Sequence, residues 1–220
     1  LFNGIEQLKG MQMSAQWTAK GLQIDSVQVE REDLNVELSG LLQPNGDWPL
    51  TLQGNVSLPA PGDMPLAVVL KVDGNLRNTL NLAADTSGYL TAHLTGEIQP
   101  LADNLPGQLK ITAEPFKASP DLPDTLILNQ LLLTAKGDLK DGYELNGSAT
   151  LPAEKEPVNL LLKGRVDAKG AQIAALDLTA NPQQRLKLSG QVDWQEGLSA
   201  EAKIDWLEFP WHNLYPVIDK

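Results

Sequence analysis

Polar and apolar side chains alternate along most of this chain. The clearest stretch is Leu186–Trp194, in which every second residue is apolar except Gly190. Strict alternation predicts a half-buried β-strand, because successive side chains of a strand point to opposite faces. About fourteen such stretches follow one another, and turns of two to six residues join them. Short turns between successive strands require antiparallel pairing, so the sequence predicts an all-β fold built on a long antiparallel sheet.

Two segments interrupt this rhythm. Residues 115–125 contain three prolines, which exclude a regular strand or helix there, and residues 208–220 are similarly aromatic and proline-broken. We therefore expect a first β block over 1–114, a crossing connector over 115–125, a second block over 126–207 and a further connector over 208–220. Within the second block the alternation slips by one residue between Ile173 and Leu176, which predicts a β-bulge.

Glycine recurs in the apolar phase of the predicted strands. Glycine inside a strand costs stability, so its repeated use at inward positions requires a reason. A bulge or a close approach of a neighbouring backbone is one explanation. A bend is the other, since a missing inner side chain lets a strand fold over its apolar face. The glycines in this phase are Gly40, Gly54, Gly74, Gly96, Gly137, Gly147, Gly164 and Gly190.

If neighbouring strands bend in register, the sheet becomes a U-shaped trough with an apolar inside. A ten-residue strand is roughly 33 Å long, and folding it into a U leaves an interior on the order of 10 Å wide, which fits acyl chains. Open sheets of so many strands rarely stay flat. A closed β-sandwich with the same inward rows is the alternative. The residues predicted to line the trough are Leu34, Val36, Leu38, Leu50, Leu52, Val56, Val68, Leu70, Val72, Leu94, Leu133, Leu145, Leu160, Leu162, Val166, Leu188 and Val192.

Composition narrows the function by exclusion. The net charge of −11 argues against nucleic acid as a partner, because nucleic-acid binding requires a basic surface. The absence of cysteine excludes disulfides and thiolate metal sites. No stretch approaches the roughly 20 apolar residues of a membrane helix. No signal peptide is visible, and the chain reads as a part of a longer protein.

The sequence offers no catalytic constellation. The two histidines, His93 and His212, lie far apart, and neither has a nearby acid at metal-ligand spacing. Asp193 and Asp205 could form a carboxylate pair on adjacent strands, but both fall on the polar face, where carboxylates are solvated. No phosphate loop, nucleophile elbow or dinucleotide fingerprint is present. We therefore expect neither enzymatic activity nor a metal or other cofactor.

Several stretches resemble the TamB family, the inner-membrane-anchored subunit of the translocation and assembly module of Gram-negative bacteria. Each piece is short, but their shared order and spacing are specific, and together they resemble the N-terminal third of the family, after its membrane anchor. AsmA-like relatives share the same low-complexity β pattern. The stretches are Gly46-Asp-Trp-Pro-Leu-Thr-Leu52, Val72-Asp-Gly-Asn-Leu-Arg77, Leu94-Thr-Gly-Glu-Ile-Gln-Pro-Leu101, Leu105-Pro-Gly107, Ala135-Lys-Gly-Asp-Leu139 and Gly190-Gln-Val-Asp-Trp194.

This resemblance implies a periplasmic, repeating β-groove protein that moves phospholipid between the inner and outer membranes and takes part in outer-membrane assembly. The implied ligands are phospholipid acyl chains. TamA is an implied partner through a C-terminal region absent here, and outer-membrane protein or autotransporter strands are further possible clients. Two alternatives stay open: a chaperone that binds client strands at the edges of the sheet, and a passive β-sandwich spacer.

Overall fold

The fold is known from a computed structural model that describes residues 10–31, 34–61, 64–194 and 198–215. The chain divides into two compact units, unit 1 (Leu1–Leu105) and unit 2 (Pro106–Lys220). In each unit the strands follow one another in sequence order, and each pairs antiparallel with its neighbours along the chain.

Unit 1 is a seven-stranded antiparallel sheet over its described residues. Its strands are β1 (Gly10–Thr18), β2 (Gly21–Arg31), β3 (Leu34–Leu42), β4 (Pro49–Leu58), β5 (Leu66–Asn75), β6 (Leu80–Gly88) and β7 (Ala92–Ile98). Gly74 continues β5 and forms no hairpin turn with Asp73, as the in-phase apolar row predicts.

Unit 2 contains seven further strands and two short helical segments. Its strands are β8 (Gly107–Ala113), β9 (Asn129–Asp138), β10 (Gly142–Leu151), β11 (Val158–Val166), β12 (Gly170–Asn181), β13 (Gln184–Asp193) and β14 (Ser199–Leu207). A 3-10 turn (Asp124–Leu126) lies before β9, and a single α-helical turn, α1 (Trp211–Leu214), follows β14.

The all-β prediction is confirmed, with fourteen antiparallel strands among the described residues. The predicted bulge is also confirmed, because the register of β12 shifts between Ile173 and Leu176. A second slip, at Asp25–Ser26, is likewise a register shift, so the two short apolar pairs on either side of it form the single strand β2.

The proline-rich window 115–125 forms no regular strand, and a single isolated bridge joins Phe116 to Leu128 beside it. The boundary between the compact units falls at 105/106, and β8 pairs with β9. The predicted division of the chain into blocks at 115–125 and 208–220 stays a prediction.

Two apolar clusters hold the units together, one in each unit. In unit 1, Leu50, Val72 and Leu80 are buried, and the adjacent turns cover them, since the Leu76 N–H donates to the Trp48 carbonyl over 2.9 Å. Leu76 packs against this cluster. In unit 2 the buried residues, here called the rim cluster, are Leu151, Val158, Leu186, Phe209 and Leu214.

Candidate hydrophobic groove

The predicted lining residues lie on one face of each sheet, here called the inner face. Leu50 and Val72 are buried, at 9% and 8% exposure, and the others are half-buried. The intervening polar residues are mostly exposed, as in the pattern of β5, whose side chains alternate between the two states. The inner face is therefore shielded from water more than the outer face, but few of its positions reach the burial of a closed core.

Cross-strand pairing joins these residues into continuous apolar rows within each unit. In unit 1 one row runs through Leu38, Gly54, Leu70, Ala84 and Leu94. In unit 2 the corresponding row runs through Leu133, Gly147, Leu162, Leu176 and Leu188. The rows include residues that were not among the predicted lining set, such as Leu176, which strand alternation also signals.

Half-burial along these rows arises largely from the sheets themselves. In unit 1 the described residues form only consecutive strands of one sheet and their turns, with no second sheet or helix to cover the inner face. Val72, in the middle of that face, is nonetheless buried. Neighbouring strands and turns must therefore fold over the inner face, which is the geometry of a bent sheet.

The in-phase glycines are points where adjacent backbones come close. A Cβ built on Gly54 would overlap the carbonyl oxygen of Glu37 and would lie 3.1 Å from the Leu38 Cα. The same clash with a neighbouring carbonyl recurs at other in-phase glycines. These glycines and the residues carrying the oxygens are Gly40 with Thr51, Gly74 with Thr79, Gly137 with Gly142, Gly164 with Gln172 and Gly190 with Glu201.

Gly147 is the exception among these positions. Its added Cβ would meet only side-chain atoms, Leu162 Cβ at 3.2 Å and Leu133 Cδ1 at 3.3 Å. Gly74 differs in another way, since its φ of 133° lies in the region that favours glycine. The role of the eight glycines as a common bend stays a prediction.

The glycines do not share one row. In unit 1, Gly40 lies opposite Leu52, in the row that also contains Gly96, while Gly54 and Gly74 each lie in a neighbouring row. Each of these glycines pairs with a leucine on an adjacent strand. The removal of side chains is therefore staggered from strand to strand, and large side chains from neighbouring strands lie beside each gap.

One end of the inner face in unit 2 is covered by the segment that follows β14. Phe209 and Leu214 are 3% and 1% exposed, and they pack with Leu151, Val158 and Leu186 in the rim cluster. Sequence reasoning placed these two residues in a connector. Their apolar character was visible, but alternation carries no signal for residues outside strands.

The polar side chains do not assemble a reaction site. His93 is exposed, and its Nδ1 lies 2.6 Å from Asp85 Oδ1, a two-residue contact on the outer face. Asp193 pairs with Ser199 and Asp205 pairs with Lys187, so the two carboxylates lie near opposite ends of their strands. Among the described residues no group of three potential metal ligands comes together. The same residues contain no helix long and apolar enough to cross a membrane.

One turn carries a clear electrostatic signature. Asp167 Oδ1 accepts hydrogen bonds from the backbone N–H groups of Lys169 at 2.7 Å and Gly170 at 3.1 Å. These bonds favour the ionised carboxylate and hold the pKa of Asp167 below its usual value. The carboxylate thus fixes the turn between β11 and β12, which is a structural role.

Comparison with known proteins identifies the family. Residues 5–218 match the profile described as "TamB, N-terminal domain". The chain belongs to the TamB N-terminal domain family. It is also similar to the translocation and assembly module subunit TamB of Haemophilus influenzae, with 26% identity over 221 residues. That match covers 91% of this chain and 16% of the relative, so the chain spans about a sixth of the relative's length. No solved structure matches.

Proposed function

We propose that this TamB-type segment is a non-enzymatic part of a conduit that carries phospholipid between the inner and outer membranes across the periplasm. The observation that supports this function is the half-buried inner face. Rows of leucine and valine run across each sheet, and the described residues cover them only in part. An apolar chain lying along these rows would remove both its own surface and theirs from water.

The energetics favour movement along such a surface. Burial stabilises an acyl chain by about 0.8 kcal/mol per methylene group. Since adjacent rows present similar side chains, a chain that shifts from one row to the next exchanges one set of apolar contacts for another. Phospholipid head groups would stay in water at the open side. No catalytic group is required for this process.

The proposed function is tested by two adjacent leucines that point to opposite faces of β11. Leu162 lies in the central inner row, whereas Leu161 is 50% exposed and pairs with Ser148 on the outer face. The Leu162→Asp variant places a carboxylate on the path of the acyl chain. Loss of contact with about two methylenes corresponds to a roughly tenfold weaker binding. Leu161→Asp adds the same charge one residue away and should have little effect.

The measurement uses the 220-residue chain incubated with vesicles of phosphatidylethanolamine and phosphatidylglycerol. After repurification, mass spectrometry quantifies the phospholipid that remains bound. We expect lipid on the wild type and on Leu161→Asp, and a large loss on Leu162→Asp. A wild type without bound phospholipid, or equal losses in the two variants, would contradict the proposal.

A second function, the binding of client β-strands, is favoured by the edge strand β14. All nine of its residues are exposed, and among the described residues it pairs only with β13. An open edge presents unpaired backbone groups that an outer-membrane protein strand could use by strand addition. Crosslinking from position 203 to a client strand, with no crosslink from the inner-face position 162, would favour this function over lipid transport. TamA binding and a periplasmic location are proposals for the whole protein.

A further inference from the structure

The segment after β14 occupies apolar surface that belongs to the proposed lipid path. Phe209 and Leu214 are buried against Leu151 and Leu186. Leu186 lies on the same face of β13 as Leu188, two residues further along the strand. An acyl chain that extended along the inner face of unit 2 toward this end would therefore meet Phe209. Residues 208–215 are called here the rim segment.

Three hydrogen bonds connect this end of unit 2. The Thr125 hydroxyl donates to the Leu214 carbonyl over 2.5 Å, and the Glu154 N–H donates to the Asn213 carbonyl over 2.9 Å. The Ala153 N–H donates to the Thr125 carbonyl over 3.3 Å. The rim segment is thus attached to two other parts of unit 2, namely the 3-10 turn and the loop after β10.

Other features oppose this attached conformation. Glu208 and Ala153 adopt φ values of 42° and 50°, in the left-handed region that costs free energy for residues other than glycine. Asn213 is 9% exposed, and its Oδ1 atom has no hydrogen-bond partner. A buried acceptor without a donor destabilises the state that contains it. The helical turn α1, Trp211–Leu214, is also too short to be stable by itself.

We infer that the rim segment is an autoinhibitory stop, which occupies one end of the apolar path in unit 2 when attached and admits an acyl chain when released. The apolar burial of Phe209 and Leu214 and the hydrogen bonds hold it in place. The unsatisfied Asn213 carbonyl and the two left-handed residues favour release. An acyl chain would replace the apolar contacts that Phe209 gives up. This inference rests on the proposed function and adds a means of regulation to it.

Two conservative substitutions should shift the equilibrium in opposite directions. Thr125→Val removes the hydroxyl that donates to Leu214 while it keeps the shape of the side chain. This should favour release by about fivefold, the effect of one net hydrogen bond. Asn213→Leu removes the unsatisfied buried oxygen and should favour attachment by a similar factor. Thr134→Val is the control, because the Thr134 hydroxyl donates to the Asn146 carbonyl at an exposed site elsewhere in unit 2.

Hydrogen exchange of the Glu154 amide, measured by NMR, reports release without any lipid. Its partner is the Asn213 carbonyl, so exchange should be about fivefold faster in Thr125→Val, slower in Asn213→Leu and unchanged in Thr134→Val. Fluorescence titration with 11-(dansylamino)undecanoic acid then measures acyl-chain binding to the same proteins. The fatty acid should bind more tightly to Thr125→Val and more weakly to Asn213→Leu.

The two measurements separate the possible failures. Equal binding of the fatty acid to all four proteins, despite altered exchange, would refute gating and leave the proposed function intact. Unaltered exchange in both variants would refute the release equilibrium itself. Absence of binding in every protein, including Thr125→Val, would refute the proposed function and the inference with it.

Discussion

Gly54 and Gly147 form a matched pair that tests whether the in-phase glycines are required by close backbone approach. Both lie near the middle of a strand, both are half-buried on the inner face, and each pairs with leucines on the two adjacent strands. They differ in what an added methyl group would meet. At Gly54 it would overlap the Glu37 carbonyl oxygen, whereas at Gly147 it would meet only leucine side chains.

This difference sets the expected magnitudes. Replacement of a strand glycine by alanine gains about 0.5–1 kcal/mol from conformational entropy and strand propensity. At Gly54 the backbone of β3 or β4 must move, and overpacking of this kind costs about 1–3 kcal/mol. The net destabilisation expected for Gly54→Ala is therefore about 1–2 kcal/mol. At Gly147 the leucines need to shift by only a few tenths of an ångström, so Gly147→Ala should be close to neutral.

Urea unfolding followed by circular dichroism measures the outcome. With an m-value of about 2 kcal/mol per molar urea, 1–2 kcal/mol lowers the midpoint by about 0.5–1 M. The transition of unit 1 should shift in Gly54→Ala, and that of unit 2 should change little in Gly147→Ala. Equal shifts in the two variants, or a neutral Gly54→Ala, would show that backbone contact does not explain the glycines.

Two further predictions concern the turns. The depressed pKa of Asp167 means that its stabilisation of the β11–β12 turn is present above the unfolded-state pKa and is lost as the pH falls through the folded-state value; NMR titration should give a midpoint below that of an ordinary aspartate, and Asp167→Ala should lose this acid dependence. In unit 1 the Arg77 guanidinium lies 4.9 Å from the ring centroid of Trp48, so Arg77→Gln should destabilise unit 1 by about 0.5–1 kcal/mol in urea unfolding, while Arg77→Lys, which retains the charge, should lose less.

The sequence alone determined which residues share a face and where most strands begin and end. Alternation has a period of two, and it is a local property of an extended chain. It therefore predicted Leu162 inside and Leu161 outside, and its slips predicted the bulge before Leu176. The prolines of 115–125 were equally informative, because proline constrains its own backbone and removes a hydrogen-bond donor wherever the chain goes.

Only the tertiary structure decided what covers the apolar face. Alternation is the same for a sandwich core and for an open groove, since both require one apolar side. The burial of Phe209 depends on contacts with Leu151 and Leu186, which are distant in sequence, and no local pattern encodes them. The same reason applies to Gly54, whose phase was visible in the sequence while the carbonyl of Glu37 that excludes a side chain there lies on the neighbouring strand.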